Sequence, residues 1–129
     1  MSERRLIATG TRFEKFFGYS RAVRVEPWVT VAGCTAAGPD GGANIAAQNT
    51  ECLRRIESAR KETGASLEGV VRARFYASAI SPLEAYGVVH VESFTQVRPA
   101  STIVEAALAH PSLLVEAEAD AITNDLAGE

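Results

Sequence analysis

Residues 97–122 read V-R-P-A-S-T-I-V-E-A-A-L-A-H-P-S-L-L-V-E-A-E-A-D-A-I, and this stretch decides the fold. It predicts two strands joined by a turn at His110-Pro111. The second strand alternates clearly, with apolar or small residues on one face and carboxylates on the other. The first face carries Leu113, Val115, Ala117, Ala119 and Ala121, and the second carries Glu116, Glu118 and Asp120.

Three carboxylates in succession on one strand face allow two interpretations. A face that only meets water can carry them, and so can one on which Glu118 pairs with an arginine of a neighbouring strand, Arg72 or Arg74. Alternatively, Glu118 faces a cleft and handles protons or water as a general acid or base. The pattern leaves both interpretations open.

The rest of the chain alternates between strands and helices, which predicts an α+β fold with one mixed sheet and two long helices on one face. The aromatic stretch Phe13–Gly18 is predicted as a loop, and the Gly/Pro-rich residues 38–42 as an exposed loop. The predicted elements are a strand at Arg5–Thr9, a hairpin of Arg21–Val25 and Trp28–Ala32 across Glu26-Pro27, a helix over about Ala43–Thr63, a strand at Leu67–Ala77 and a helix from Ser81 to about Phe94.

Local signals set the expected ends and faces of these elements. Gly64 is expected to cap the first long helix, whose charged residues form a solvated face. Ser81 is expected to be the N-cap of the second, with Pro82 at its first helical position. In the strand between the helices, alternation predicts Val71, Ala73, Phe75 and Ala77 on one side and Arg72, Arg74 and Tyr76 on the other.

Composition limits the possible classes of function. With 129 residues the chain is expected to form one domain, residues 1–129. The net charge of −3 and the lack of a Lys/Arg block argue against nucleic-acid binding. No apolar run is long enough for a membrane span or a signal peptide. Two cysteines, Cys34 and Cys52, are too few to stabilise a chain of this size by disulfide bonds, so reduced thiols in the cytoplasm are expected. We expect no metal and no cofactor.

Three motifs carry a resemblance to a known family. Arg98-Pro99-Ala100 and Val115-Glu116-Ala117-Glu118-Ala119 resemble the C-terminal signature of the Rid family, the YjgF-type proteins often labelled L-PSP endoribonucleases. Gly18-Tyr19-Ser20-Arg21-Ala22-Val23 is similar to the family's G-P-Y-S-x-A-V. Val31-Ala32-Gly33-Cys34-Thr35 stands at the place of its V-S-G-Q.

The resemblance implies a chorismate-mutase-like fold, a homotrimer with a barrel-like centre, and small-molecule clefts between subunits. It also implies hydrolysis of enamines and imines, in which Glu118 would be the catalytic residue. Tyr19, Gly33, Cys34, Ser101 and Thr102 would line the cleft. Ser101 occupies the position of the family's substrate-binding arginine, and a serine brings no charge. Arg21, beside Tyr19, is the first candidate for a replacement cation.

Three functions are consistent with these residues. The first is an enamine or imine deaminase, a hydrolase acting on C–N bonds, with an altered substrate preference. The second is a non-catalytic trimer that binds small metabolites. The third, an endoribonuclease or translation inhibitor, is the least supported, because the sequence offers no His pair and no basic run. His90, alone on its helix, is interpreted as a packing or surface residue rather than a ligand or base.

Overall fold

The computed structural model describes residues 3–36, 44–58 and 60–123. The loop predicted at residues 38–42 lies outside these ranges, as do residues 43 and 59 of the first predicted long helix. The strands are β1 (Arg5–Ile7), β2 (Ala22–Val25), β3 (Trp28–Thr35), β4 (Val70–Ala77), β5 (Ala100–Glu105) and β6 (Val115–Ile122). The helices are α1 (Arg12–Phe17), α2 (Ile45–Ser58), α3 (Arg60–Thr63) and α4 (Leu83–Phe94), with a 3-10 turn at Leu67–Gly69.

The described strands form one sheet in the order β1-β2-β3-β6-β4-β5. Strands β4 and β5 pair in parallel, and every other neighbouring pair is antiparallel. The sheet is therefore mixed, and the predicted α+β class is confirmed. The predicted turn also lies in place, closed by a hydrogen bond from Leu113 N to His110 O at 3.0 Å. The two strands that it joins, however, are not neighbours, because β4 lies between them.

The alternation along β6 places its two faces as predicted. Val115, Ala117, Ala119 and Ala121 are buried, whereas the three carboxylate residues are partly exposed. The buried face joins the same core as Cys52, Leu53 and Ile56 of α2 and Tyr86, Val89 and Phe94 of α4. Both long helices thus cover one face of the sheet. The carboxylates stand on the opposite face, called here the open face.

The aromatic stretch predicted as a loop is a short helix, α1. Thr11 is its N-cap, and the Thr11 Oγ accepts a hydrogen bond from Glu14 N at 3.4 Å. Gly18 ends the helix with φ of 75°, a conformation in which glycine is favoured. The prediction was wrong because it rested on the aromatic residues and overlooked the T-x-x-E capping signal at Thr11–Glu14.

The first long helix is described on both sides of residue 59, as α2 and α3, and Gly64, with φ of 77°, follows its end as predicted. Two further boundaries differ from the prediction. Strand β4 begins after a 3-10 turn, and a register shift between Val70 and Arg72 buries Val70 and exposes Val71. Helix α4 begins at Leu83 with Pro82 at the cap position, so Ser81 does not cap it. Among the described residues, no helix is long and apolar enough to cross a membrane.

Candidate functional site

A bulge in β3 shapes the open face near its centre. Val31 pairs with Ala119 and Cys34 with Ala117, so two residues of β3, Ala32 and Gly33, lie opposite Glu118 alone. A bulge of this kind turns the local backbone and often lies beside functional sites. Its consequence here is that Gly33 lies against a neighbouring side chain on β6.

That neighbouring side chain is Glu116. A Cβ atom on Gly33 would overlap Glu116 Oε2 and lie 3.0 Å from its Cδ. The missing side chain of Gly33 therefore makes room for a carboxyl group. The family resemblance implies that Gly33 lines the cleft, but nothing in the sequence indicates that Glu116 is the group that lies against it.

Arg21 ties this region together. Its Nη1 donates to Gly33 O at 2.6 Å and lies 3.6 Å from Cys34 Sγ, while its Nη2 donates to Tyr19 Oη at 3.2 Å. The guanidinium also lies 5.6 Å from the centroid of the Tyr19 ring. The structure thus brings Tyr19, Arg21, Gly33 and Cys34 together. Because Nη1 and Nη2 of Arg21 each already donate within its own chain, Arg21 is poorly placed to replace a two-pronged carboxylate clamp.

The buried carboxylate of Glu14 lies beside the Arg21 guanidinium. Glu14 Oε2 lies 4.0 Å from Arg21 Nε, and Glu14 Oε1 accepts from Thr9 N at 3.0 Å. The hydroxyls of Thr9 and Thr11 also donate to this carboxylate. The hydrogen bond from the Thr9 hydroxyl is the main cause that lowers the pKa of Glu14, against the opposing effect of burial. Glu14 therefore carries a negative charge at neutral pH and holds the arginine in place.

For Cys34 and Glu116, unlike Glu14, burial is the largest effect on the pKa. Desolvation raises the pKa of the Cys34 thiol, although the Arg21 charge partly offsets it, so the thiol stays protonated at neutral pH. Desolvation also raises the pKa of Glu116, and repulsion by Glu118 adds to that rise. Cys34 is 4% exposed and belongs to the core, which makes it a packing residue in this protomer.

Glu118 stands in a hydrogen-bonded network on the open face. Its Oε1 accepts from Tyr76 Oη at 2.6 Å and lies 3.8 Å from Arg74 Nη1. The same Arg74 nitrogen lies 3.5 Å from Asp120 Oδ2. The hydrogen bond to Glu118 is the main cause that raises the pKa of Tyr76. Pairing across β4 and β6 thus occurs through Arg74, and the side chain of Glu118 remains 31% exposed.

Two of the predicted site residues, Ser101 and Thr102, lie on opposite faces of β5. Ser101 pairs with the buried Ala73, and Thr102 pairs with Arg74. Because side chains alternate along a strand, Ser101 lies on the helix-covered face and Thr102 on the open face. Ser101 Oγ contacts His90 Nε2 at 2.8 Å, a contact that sequence analysis missed. Within one protomer, Ser101 therefore does not meet Glu118.

Comparison with known families shows to which family the chain belongs. The sequence model of the family described as Endoribonuclease L-PSP matches residues 9–123. The chain belongs to the L-PSP endoribonuclease family. This family includes the YjgF-type proteins, so the predicted membership is confirmed. A RutC family protein of Pyrococcus abyssi is 30% identical to this L-PSP family chain over 105 residues, covering 78% of the chain and 83% of the relative.

Solved structures of the L-PSP family share the fold. A member of the YjgF/YER057c/UK114 family from Mycobacterium tuberculosis is 48% identical, with a TM-score of 0.87 over 94% of this chain and 100% of that one. A YjgF family protein from Neisseria meningitidis is 26% identical, with a TM-score of 0.82 over 96% and 98% of the two chains. The predicted YjgF-type fold is therefore confirmed. In the described part of the chain, no three His, Cys, Asp or Glu side chains are grouped so as to hold a metal ion.

Proposed function

We propose that this L-PSP family member is a homotrimeric hydrolase that converts imines and enamines to carbonyl compounds and ammonia in clefts between its subunits. The observation that carries the proposal is the placement of Glu118. Its carboxylate is partly exposed, accepts a short hydrogen bond from Tyr76, and lies opposite the β3 bulge that contains Gly33. A carboxylate that is held in place and reached by solvent is suited to take a proton from water.

In the proposed reaction, water adds to the imine carbon while Glu118 accepts one of its protons. The C=N double bond becomes a single bond, and the nitrogen takes up a proton to give a carbinolamine. Glu118 then gives its proton to the nitrogen, and the C–N bond breaks to release ammonia. The hydroxyl group loses its proton to water, which restores the proton that the nitrogen took up in the first step, and the C=O group of the product remains. Atoms and charge balance without a cofactor or a metal.

The position of Ser101 supports a cleft between protomers. Ser101 and Glu118 are on opposite faces of the sheet in one protomer, so a ligand could meet both only if they came from different copies. Trp28 and Val104 are 50% and 43% exposed, which leaves apolar surface for such copies to bury. Strand β5 also lies at the end of the described sheet, where its outer edge is free to meet a neighbour.

The substrate preference follows from the missing charge at Ser101. Losing one partner of a desolvated charge pair costs about 2–5 kcal/mol, and Arg21 already donates to groups of its own chain. Carboxylate-bearing imines of the 2-aminoacrylate type should therefore be poor substrates. Imines without a carboxylate are the better candidates.

The proposal is tested by generating imines in situ and measuring their hydrolysis. An amino-acid oxidase supplies carboxylate-bearing imines, and an amine oxidase supplies imines without the carboxylate. Accelerated release of the carbonyl product from the second set, above the rate in buffer, supports the proposal. Rates equal to buffer for both sets contradict it.

A second candidate is a trimer that binds small metabolites without catalysis. The observation that favours it is the network around Glu118, since Tyr76 and Arg74 together could make that carboxylate a structural group. Saturable ligand binding without any imine hydrolysis would support this candidate. The ribonuclease activity in the family's description stays third. RNA binding that weakens steeply with salt would favour it.

A further inference from the structure

The Ser101 side of the proposed cleft is itself concave, and it lies between α4 and β5 on the helix-covered side of the sheet. It is a cavity of about 230 Å³. Its walls are mainly apolar and include Phe75, Leu83, Tyr86 and Ile103. The hydroxyl of Tyr86 is already engaged, because it donates to Leu114 O at 3.1 Å. The cavity is therefore mainly apolar, and the Tyr86 hydroxyl adds no polar group that is free to bind a ligand.

Two of the polar residues that line this cavity, His90 and Ser101, contact each other. Ser101 Oγ lies 2.8 Å from His90 Nε2 and 3.2 Å from Pro99 O. The imidazole ring packs against Phe75 and Phe94, with centroid distances of 5.5 and 4.8 Å. Burial lowers the pKa of His90, so the imidazole is neutral at pH 7. Aspartate, glutamate, lysine and arginine are absent from the described residues that line the cavity.

Another polar residue of the cavity lining is Asn49. Asn49 is fully buried, and in the described part of the chain its Oδ1 has no hydrogen-bond partner. An unsatisfied acceptor in such a place is costly, and a nearby donor would relieve the cost. This residue favours a ligand that carries an N–H group.

We propose that the cavity binds an uncharged molecule the size of one substituted aromatic ring, which carries an N–H or carbonyl group toward His90, Ser101 and Asn49. An apolar cavity of about 150 Å³ is large enough for benzene, so one of 230 Å³ has room for a substituent. A carboxylate would lose its hydration there without meeting a cation, which disfavours anions. The inference deepens the proposed function, because it names neutral, ring-sized imines as the substrate class.

The test compares benzamide with benzoate, two probes of nearly equal shape and different charge. Titration of the full ¹⁵N-labelled chain at pH 7.5, followed by NMR, reports both affinity and location. We expect benzamide to bind at least about ten times more tightly than benzoate, with the largest shifts at residues of α4 and β5. Equal affinities, or no saturable binding of benzamide, would overturn the proposal.

Two variants locate the binding. Gly87 lines the cavity, and a Cβ there meets nothing within 4 Å, so Gly87→Leu can start a side chain that fills part of the cavity. It should abolish benzamide binding, whereas Val88→Leu, at an exposed position of the same helix, should not. Ser101→Arg should reverse the preference toward benzoate. Unchanged binding in Gly87→Leu would overturn the proposed location.

The outcomes separate this inference from the proposed enzyme. Benzamide binding without hydrolysis of any imine keeps the cavity and contradicts the deaminase. Hydrolysis of carboxylate-bearing imines without benzamide binding contradicts the neutral cavity and keeps the deaminase.

Discussion

Glu116 and Glu118 are two residues apart on one strand, yet their surroundings differ. Glu118 accepts a hydrogen bond from Tyr76 and lies near Arg74. Glu116 lies against Gly33, and desolvation raises its pKa. Their separate roles can therefore be distinguished by replacing one carboxylate at a time.

The first prediction concerns Glu118→Gln. We expect imine hydrolysis to fall about 100-fold or more, because general-base catalysis contributes about 10²–10⁴-fold. The melting temperature should change little, since Arg74 keeps Asp120 at 3.5 Å and Tyr76 can still donate to the amide oxygen. Coupled assays and thermal unfolding measure the two effects.

Asp120→Asn is the matched control for Glu118→Gln, because it removes the other carboxylate near Arg74 and should leave hydrolysis intact. If Glu118→Gln unfolds the protein more easily while the remaining folded fraction keeps its activity, Glu118 is a structural ion-pair member.

The second prediction concerns Gly33→Ala. The new Cβ would overlap Glu116 Oε2, the far end of a flexible side chain that can swing away. We expect a loss of about 1 kcal/mol in the free energy of unfolding, at the low end of overpacking effects. In a Glu116→Ala background the same change should cost almost nothing. Urea unfolding of the four proteins gives the coupling energy. Additive effects would mean that the two residues do not interact.

At the scale of elements, α2 is attached to the end of β3 through a charged cluster. Glu51 accepts from Arg54 and Arg55, and Arg55 Nη1 also donates to Thr35 O at 2.8 Å. The charged residues of this helix are predicted to form a solvated face, and Arg54 is exposed. Arg55, in contrast, links the helix to the strand that carries Gly33.

The third prediction concerns this cluster and pH. Hydrogen bonds from Arg54, then from Arg55, lower the pKa of Glu51 from its ordinary 4.5 to about 2. A lowered pKa in the folded state stabilises the fold above pH 4.5, and this stabilisation disappears as pH falls toward 2. Glu51→Gln should therefore unfold more easily than the parent at pH 7, by about 1–3 kcal/mol, with a gap that shrinks between pH 4.5 and 2.

Urea unfolding at a series of pH values measures this gap. Glu92→Gln, at an exposed position of α4, is the control and should differ little from the parent at every pH. A gap for Glu51→Gln that stays constant with pH would mean that the Glu51 charge does not stabilise the fold.

Elements with a strong local period could be predicted from the sequence, and those set by tertiary pairing could not. The alternation of Val115–Asp120 indicated both faces of β6 because a strand repeats every two residues. The β4 bulge that exposes Val71 leaves no local signal, since it arises from register with β6. The capping pair Thr11 and Glu14 is visible in the sequence, but Phe13–Gly18 was predicted as a loop.

The candidate site was predictable to a smaller extent. Tyr19, Gly33 and Glu118 came from resemblance to family motifs, and their roles stay predictions. The contacts of Glu116 with Gly33 and of His90 with Ser101 join distant parts of the chain, so neither could be inferred from spacing. The face on which Ser101 lies depends on its pairing with Ala73 in β4.

At the scale of the whole molecule, the fourth prediction is a homotrimer. Light scattering at micromolar concentration should give about three times the 13.7 kDa of one chain. Val104→Asp places a charge on the open face of β5, where the residue is 43% exposed, and should shift the mass toward that of a monomer. Val88→Asp changes an exposed valine on the helix side and should leave the mass unchanged. A parent protein of one chain's mass contradicts the trimer.

The central position of β6 has a consequence for how the protein is made. Strand β6 follows β3 and β4 in sequence but hydrogen-bonds to both. The edges of β3 and β4 that face β6 therefore stay unpaired until residues 115–122 have left the ribosome. A nascent chain that ends before residue 115 would expose two unpaired strand edges, which are templates for aggregation. Sheet closure is thus a late, long-range event, which slows folding. Newly synthesised chains of this protein are therefore expected to need a chaperone until β6 has been synthesised and has paired.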